Sequence, residues 1–181
     1  MAVRDVLLYP DCALKQVAAP AQPDEIERVG ADLVDTMRSF PGCVGIAAPQ
    51  IGEPVRMIAV DLTGHPKAED PNGLMVLANP RVAEESAEGG VAREGCLSIP
   101  DLTANVRRAE SVKIEHSGGR VASRGFEARC LLHEIDHLDG ILFLDRVASL
   151  VDDLFRRKSY APPPSEPGTG SSSGSAGGRT R

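Results

Sequence analysis

The sequence predicts an α+β domain in which short mixed or antiparallel strands pack around a central helix. Three observations predict it. An amphipathic stripe runs from residue 23 to about 40. Several short apolar runs follow, punctuated by Gly, Pro and Asn. A stretch free of helix breakers then runs from about 126 to 138. Helix, then strands, then helix differs from the βαβ alternation of a parallel sheet.

Each element has its own signal. Pro23-Asp24 opens the first helix, and Ile26, Val29, Leu33 and Met37 recur at three- and four-residue steps. That spacing lays them along one face, and Pro41-Gly42 ends the pattern. The runs 55–62, 74–79 and 111–116 read as strands. The second helix is stopped by Asp139-Gly140 and carries His133-Glu134-Ile135-Asp136-His137. A third, short helix is expected over 149–157. Residues 161–181 contain four Pro, five Gly and five Ser and no large apolar side chain. Such a segment buries too little surface to offset its ordering entropy. A folded domain over 1–160 and a flexible tail over 161–181 are expected.

Composition narrows the class. A chain of 181 residues with 41% hydrophobic residues supports one domain with its own core. Aromatics are only 3% and Trp is absent, so Leu, Ile, Val and Ala must fill that core. A net charge of −6 argues against sequence-specific nucleic-acid binding, which favours a basic stripe. No apolar run approaches the roughly 18 residues of a membrane span. The start, MAVRDVLLYPD, has no signal-peptide core. A cytoplasmic protein with no membrane association is expected. Cys12, Cys43, Cys96 and Cys130 show no disulfide spacing, and in a reducing compartment they read as buried thiols or metal ligands.

His133 and His137, four apart on one helix, share a face one turn apart. Glu134 lies between them without being a ligand. This H-E-x-x-H arrangement suits a divalent metal and a proton-transfer carboxylate. An open metal site needs a third protein ligand. Cys130 is a poor one, because seven residues of helix separate it from His137 by about 10.5 Å of axial rise. Cys130 reads instead as a small apolar residue on the core side. A thiolate at Cys96, within Glu94-Gly95-Cys96-Leu97-Ser98-Ile99-Pro100, would complete a Cys-His-His set. By itself that heptad reads rather as a buried structural cysteine in a turn before a strand.

Three segments together resemble the peptide deformylase family. They are Gly45-Ile46-Ala47-Ala48-Pro49-Gln50-Ile51-Gly52, the heptad at 94–100, and His133-Glu134-Ile135-Asp136-His137-Leu138-Asp139-Gly140. Weaker likeness at LLYPD and ILFLDRV extends the resemblance over about residues 5–159. It implies a catalytic domain over 1–160 that removes the formyl group from the N-terminal formyl-methionine of new proteins. It further implies that Cys96, His133 and His137 bind one divalent metal, iron(II) in the cell, with zinc, nickel or cobalt as substitutes. Glu134 becomes the general base and then acid, and Gln50 with the backbone N–H of Leu97 stabilises the oxyanion. Gly45 leaves backbone open to a substrate strand. Formyl-methionine nascent peptides, and a transient ribosome contact, are the implied partners. The alternatives are an amidase for another small N-acyl group and a low-activity, deformylase-like peptide-binding protein. Two residues depart from the family pattern: Leu132 stands where Gln is usual, and Cys43 where Gly is usual. Loss of that Gln implies a missing hydrogen bond near the metal, and Cys43 adds a thiol beside the peptide groove.

Overall fold

The computed structural model describes residues 2–157. The tail expected over 161–181, and the proposed boundary at 160, lie outside the described residues. The chain forms helix α1 (Pro23–Ser39) and then strands β1 (Gly45–Ala47), β2 (Met57–Val60), β3 (Met75–Ala78) and β4 (Arg81–Glu85). Strands β5 (Gly89–Cys96), β6 (Ile99–Ala109), β7 (Ser111–His116) and β8 (Gly119–Arg124) follow. Helix α2 (Gly125–Leu138) and strand β9 (Leu154–Arg156) complete it. The strands make three antiparallel sheets, ordered β1-β2-β3, β4-β7-β8 and β5-β6-β9. Among the described residues no helix is long and apolar enough to cross a membrane.

Helix α1 forms where its stripe predicts. The backbone N–H of Gln22 donates to Glu25 Oε2 at 2.7 Å, and Pro23 occupies the first turn, where its missing N–H costs nothing. Its buried side chains Val29, Leu33 and Met37 pack on Ile46, Met57 and Ala59 of the first sheet.

Helix α2 is different. Every residue from Glu127 to Leu138 is buried, because the helix packs against strands of all three sheets. Its end is fixed by close approach: Gly140 has φ +68°, and a Cβ there would sit 2.6 Å from the Lys15 carbonyl oxygen.

Two parts of the sequence reading change. The helix expected over 149–157 is a single turn followed by β9. Ser149 Oγ accepts from the Asp152 N–H at 3.2 Å, but Leu150 and Val151 are 68% and 90% exposed. Pairing with β6 then satisfies the backbone of Leu154 to Arg156. Strands β1, β4, β5, β6 and β8 are additional. In β6 the inward phase is Ala104, Val106 and Arg108, so a charged residue in a buried position hides the two-residue period.

Candidate metal centre

A buried charge must be partnered, or it costs several kcal/mol. Helix α2 buries six carboxylate, guanidinium and imidazole side chains between Glu127 and His137. Glu127 accepts from Ser123 Oγ at 2.6 Å and from Asn72 N and Nδ2 at 2.9 and 2.6 Å. Asp136 accepts from Arg108 Nη1 and from Arg146 Nε and Nη2, each at 2.5 Å. Arg129 donates to Glu94 Oε1, the Val106 carbonyl and the Gly90 carbonyl at 2.7–2.8 Å. His133 Nδ1 lies 2.9 Å from Glu94 Oε2. Two atoms remain: among the described residues, Glu134 Oε2 and His137 Nδ1 are buried with no hydrogen-bond partner. Both belong to the H-E-x-x-H stretch.

The other candidate residues converge there. Ligand atoms of Cys96, His133 and His137 all lie within 4.8 Å of one another. Cys96 Sγ is 3.3 Å from His137 Nε2. A tetrahedral ion with bonds of about 2.3 Å to sulfur and 2.0 Å to nitrogen holds such atoms about 3.5 Å apart. The three donors therefore fit one divalent ion. Cys130 is outside that group, but its sulfur is not purely a core atom: it lines the same pocket.

The pocket, about 250 Å³, is lined by Cys43, Gly45, Gln50, Cys96, Leu97 and Glu134 among others. Strand β1 starts at Gly45 because only a glycine fits. A Cβ there would lie 2.7 Å from Glu134 Oε1 and 3.1 Å from Glu134 Cδ. The bare Cα thus presses on the carboxylate itself, beyond the open backbone that the sequence suggests. Gln50 follows in a 3-10 turn. Its Oε1 accepts from the Ala47 N–H at 2.8 Å, which fixes the amide so that Nε2 points at Ser98 Oγ (3.1 Å) and Cys96 Sγ (3.4 Å). The last residue of β5 is Cys96, and the turn into β6 supplies half-buried Leu97. The first residues brace both segments: Leu7 N–H donates to the Gln50 carbonyl and Tyr9 N–H to the Ser98 carbonyl, each at 2.8 Å.

Electrostatics divide the acids. Burial alone would raise Glu94, but hydrogen bonds from Arg108 and His133 hold it far below the usual carboxylate range. An ionised Glu94 can only accept, so His133 Nδ1 carries a proton and Nε2 is the ring atom left to face a metal. Burial pushes Glu134 up to about 7. Burial and the neighbouring His133 hold His137 well below its ordinary value.

With the geometry in hand, the comparisons decide the family. The Polypeptide deformylase model matches residues 3–153. The chain belongs to the polypeptide deformylase family. A peptide deformylase of Brucella suis is 38% identical over 165 residues, covering 87% of this chain and 92% of the relative. That of Rhizobium meliloti matches equally, at 38% over 165 residues. Among solved structures, an actinonin-bound class I type b peptide deformylase from Acinetobacter baumannii has a TM-score of 0.71 at 34% identity, covering 82% of this chain and 100% of that one. A peptide deformylase of Thermotoga maritima has a TM-score of 0.72 at 29% identity, with 82% and 100% covered.

Sequence reasoning missed the residues behind the site. In the sequence Glu94 is only one residue of the heptad; in the structure it bonds His133 and joins Arg108 of β6 to Arg129 of α2. An acid two residues before a candidate thiolate, on the inward phase of a strand, is the signal that could have found it. The two departures fall in different places. Cys43 lines the pocket and donates its thiol to the Gly45 carbonyl at 3.1 Å. Leu132 lines a separate cavity with Arg108 and Arg146, because one residue of helix turns it about 100° from His133.

Proposed function

We propose that this chain hydrolyses the formyl group from N-terminal formyl-methionine of newly made proteins, with Cys96, His133 and His137 holding one divalent metal on helix α2. The observation that carries this reading is the pair of unpartnered buried atoms, Glu134 Oε2 and His137 Nδ1, beside three convergent donors in a pocket. Family membership supports it, since relatives 38% identical are peptide deformylases. One thiolate and two imidazoles suit iron(II), zinc, nickel or cobalt, and iron(II) is the ion proposed for the cell. When bound, the metal supplies a Lewis acid and brings the pKa of water toward neutrality.

The protein's own groups do the rest. Glu134 takes the proton of the attacking water and returns it to the departing methionine amine. Gly45 keeps that carboxylate in place by leaving no atom where a Cβ would stand. The Gln50 amide and the Leu97 N–H donate to the oxygen of the formyl carbonyl as it gains charge, a contribution of about 10²–10³ in rate per donor in other enzymes. Glu94 holds His133 by its Nδ1 and so orients Nε2. A transient ribosome contact, when the nascent chain emerges, belongs to the same proposal.

Formate release from a formyl-methionine peptide, by protein prepared without oxygen and analysed for metal, tests the reading. One formate per free methionine amine is expected. Metal-replete protein that leaves the peptide intact would contradict it.

A further inference from the structure

Two guanidinium groups at the mouth of the pocket have no part in the chemistry above. Arg93 and Arg157 both line the cavity that contains Cys96 and Glu134, and both are exposed. Strand β5 buries Glu94 and Cys96 and leaves Arg93 and Gly95 outside. Thr103 of β6 pairs with Gly95 on one side and Phe155 of β9 on the other. Arg157, one residue beyond β9, lays its guanidinium against Gly95, where any Cβ would meet Nη2. Its backbone N–H is anchored on the Asp101 carbonyl at 2.8 Å. Arg93 is held from the opposite side. Its guanidinium carbon lies 3.4 Å from the centroid of the Phe155 ring, and it donates to Asn105 Oδ1 and Thr103 Oγ1, each at 3.2 Å.

All these partners are neutral. Among the described residues neither arginine has a carboxylate partner, whereas Arg108 and Arg129, behind the same wall, are both paired with Glu94. The two acids lining the pocket are Glu94, which is fully engaged, and Glu134, which is buried. The pocket lining is therefore cationic at this rim in a chain of net charge −6, with Asp153 one partner removed, accepting from Asn105 Nδ2 at 3.1 Å. Beyond a screening length of about 8 Å the rest of the molecule contributes little, so the nearest charges decide what the mouth attracts. A peptide whose formyl end sits at Cys96 and Glu134, and whose chain leaves on the Arg93 and Arg157 side, passes both groups. An extended chain advances about 3.3 Å per residue, which brings the residues just after methionine past the arginines.

We propose that Arg93 and Arg157 form a carboxylate-binding rim that favours formyl-methionine peptides with an acidic side chain within about three residues of methionine. The inference rests on the deformylase reading and adds a substrate preference to it. Both guanidiniums present planar donor forks suited to a carboxylate, and stacking and strand pairing hold them before substrate arrives. The carboxylate at the end of a short peptide has the same chemistry, so the test separates it from a side chain.

The test compares formyl-Met-Ala-Glu-Ala-amide, its Gln counterpart, and the Gln peptide as free acid. Each is measured on wild type, Arg157→Gln and Arg93→Gln. For wild type, kcat/KM is expected to be about two- to fivefold higher for the Glu amide than for the Gln amide, the range of exposed ion pairs. The ratio should fall toward one in Arg157→Gln, and in about 0.5 M salt, where screening shortens to about 4 Å. A wild-type ratio of one, or a ratio unchanged in both variants, overturns the rim. A gain for the free acid with none for the Glu amide also overturns it, in favour of a chain-end site. Turnover of the neutral Gln amide by wild type reports deformylation separately. Should no peptide be turned over, the deformylase reading fails. The Kd ratio of the deformylated Glu and Gln peptides on metal-loaded protein, by calorimetry, then decides the rim.

Discussion

At the scale of single residues, the site is tuned by close approach and by burial. Gly45 is the sharpest case. Replacing it with Ala drives a Cβ to 2.7 Å from Glu134 Oε1, so the carboxylate must swing away while the three donors stay put. Gly45→Ala is expected to keep its metal and lose about 10²-fold in turnover, the cost of about 1 Å of misplacement at a reacting group. Equal formate release by the variant and wild type, at equal metal content, would show that the glycine has no such role. Cys43 gives a pH dependence. Burial, then the charge of Glu134, push its thiol up to about 12. The thiolate is the reactive form, so a raised pKa means slow reaction near neutrality. Alkylation of Cys43 should be negligible at pH 8 and rise about tenfold per pH unit toward 12, with exposed Cys12 as comparator in the same digest. Rapid labelling of Cys43 at pH 8 would contradict its burial beside Glu134.

At the scale of elements, α2 is held by charges drawn from distant strands. Asp136 faces Arg108 of β6 and Arg146 beyond α2. Asp136→Asn preserves shape and removes the charge opposite both. Uncompensating a buried partner costs about 3–5 kcal/mol; half-exposed Arg146 and the remaining bonds from Arg108 to Glu94 place the expected loss near 3 kcal/mol. Urea unfolding of metal-loaded protein reads it directly, and a change below about 0.5 kcal/mol would mean that the charges are not what locks the helix. This network also marks how far the sequence could be read. Helix α1 was legible because Val29, Leu33 and Met37 keep a helical period, and β7 because buried Val112 and Ile114 alternate with exposed Ser111 and Lys113. Strand β6 was not, because Arg108 occupies a core position. Strand β9 was not, because its reason to exist is β6. The candidate site was legible where its residues sit in compact motifs: Gln50, Cys96, His133, Glu134 and His137. Glu94, Arg108, Arg129 and Asp136 act through pairings 14 to 39 residues apart, and local pattern carries no record of those.

At the scale of the whole molecule, strands of three sheets pack on one helix, and α1 backs the first of those sheets. The family model reaches residue 153, and the catalytic domain is proposed to end near 160. Truncation after Tyr160 is expected to leave the melting temperature within about 2 °C and formate release unchanged, since the segment removed offers no apolar anchor. A drop of several degrees would show that residues beyond 160 contribute to the fold. The wider claim is that this fold exists to set one carboxylate beside one metal. Glu134→Gln isolates that claim, because it leaves Cys96, His133 and His137 intact and removes only the group proposed to move the proton. Metal content and formate release should be measured on the same oxygen-free preparation of wild type and variant. One metal per chain in both, with formate release reduced about 10²–10⁴-fold in the variant, is the expected result. A metal-loaded Glu134→Gln protein that deformylates at the wild-type rate would contradict it.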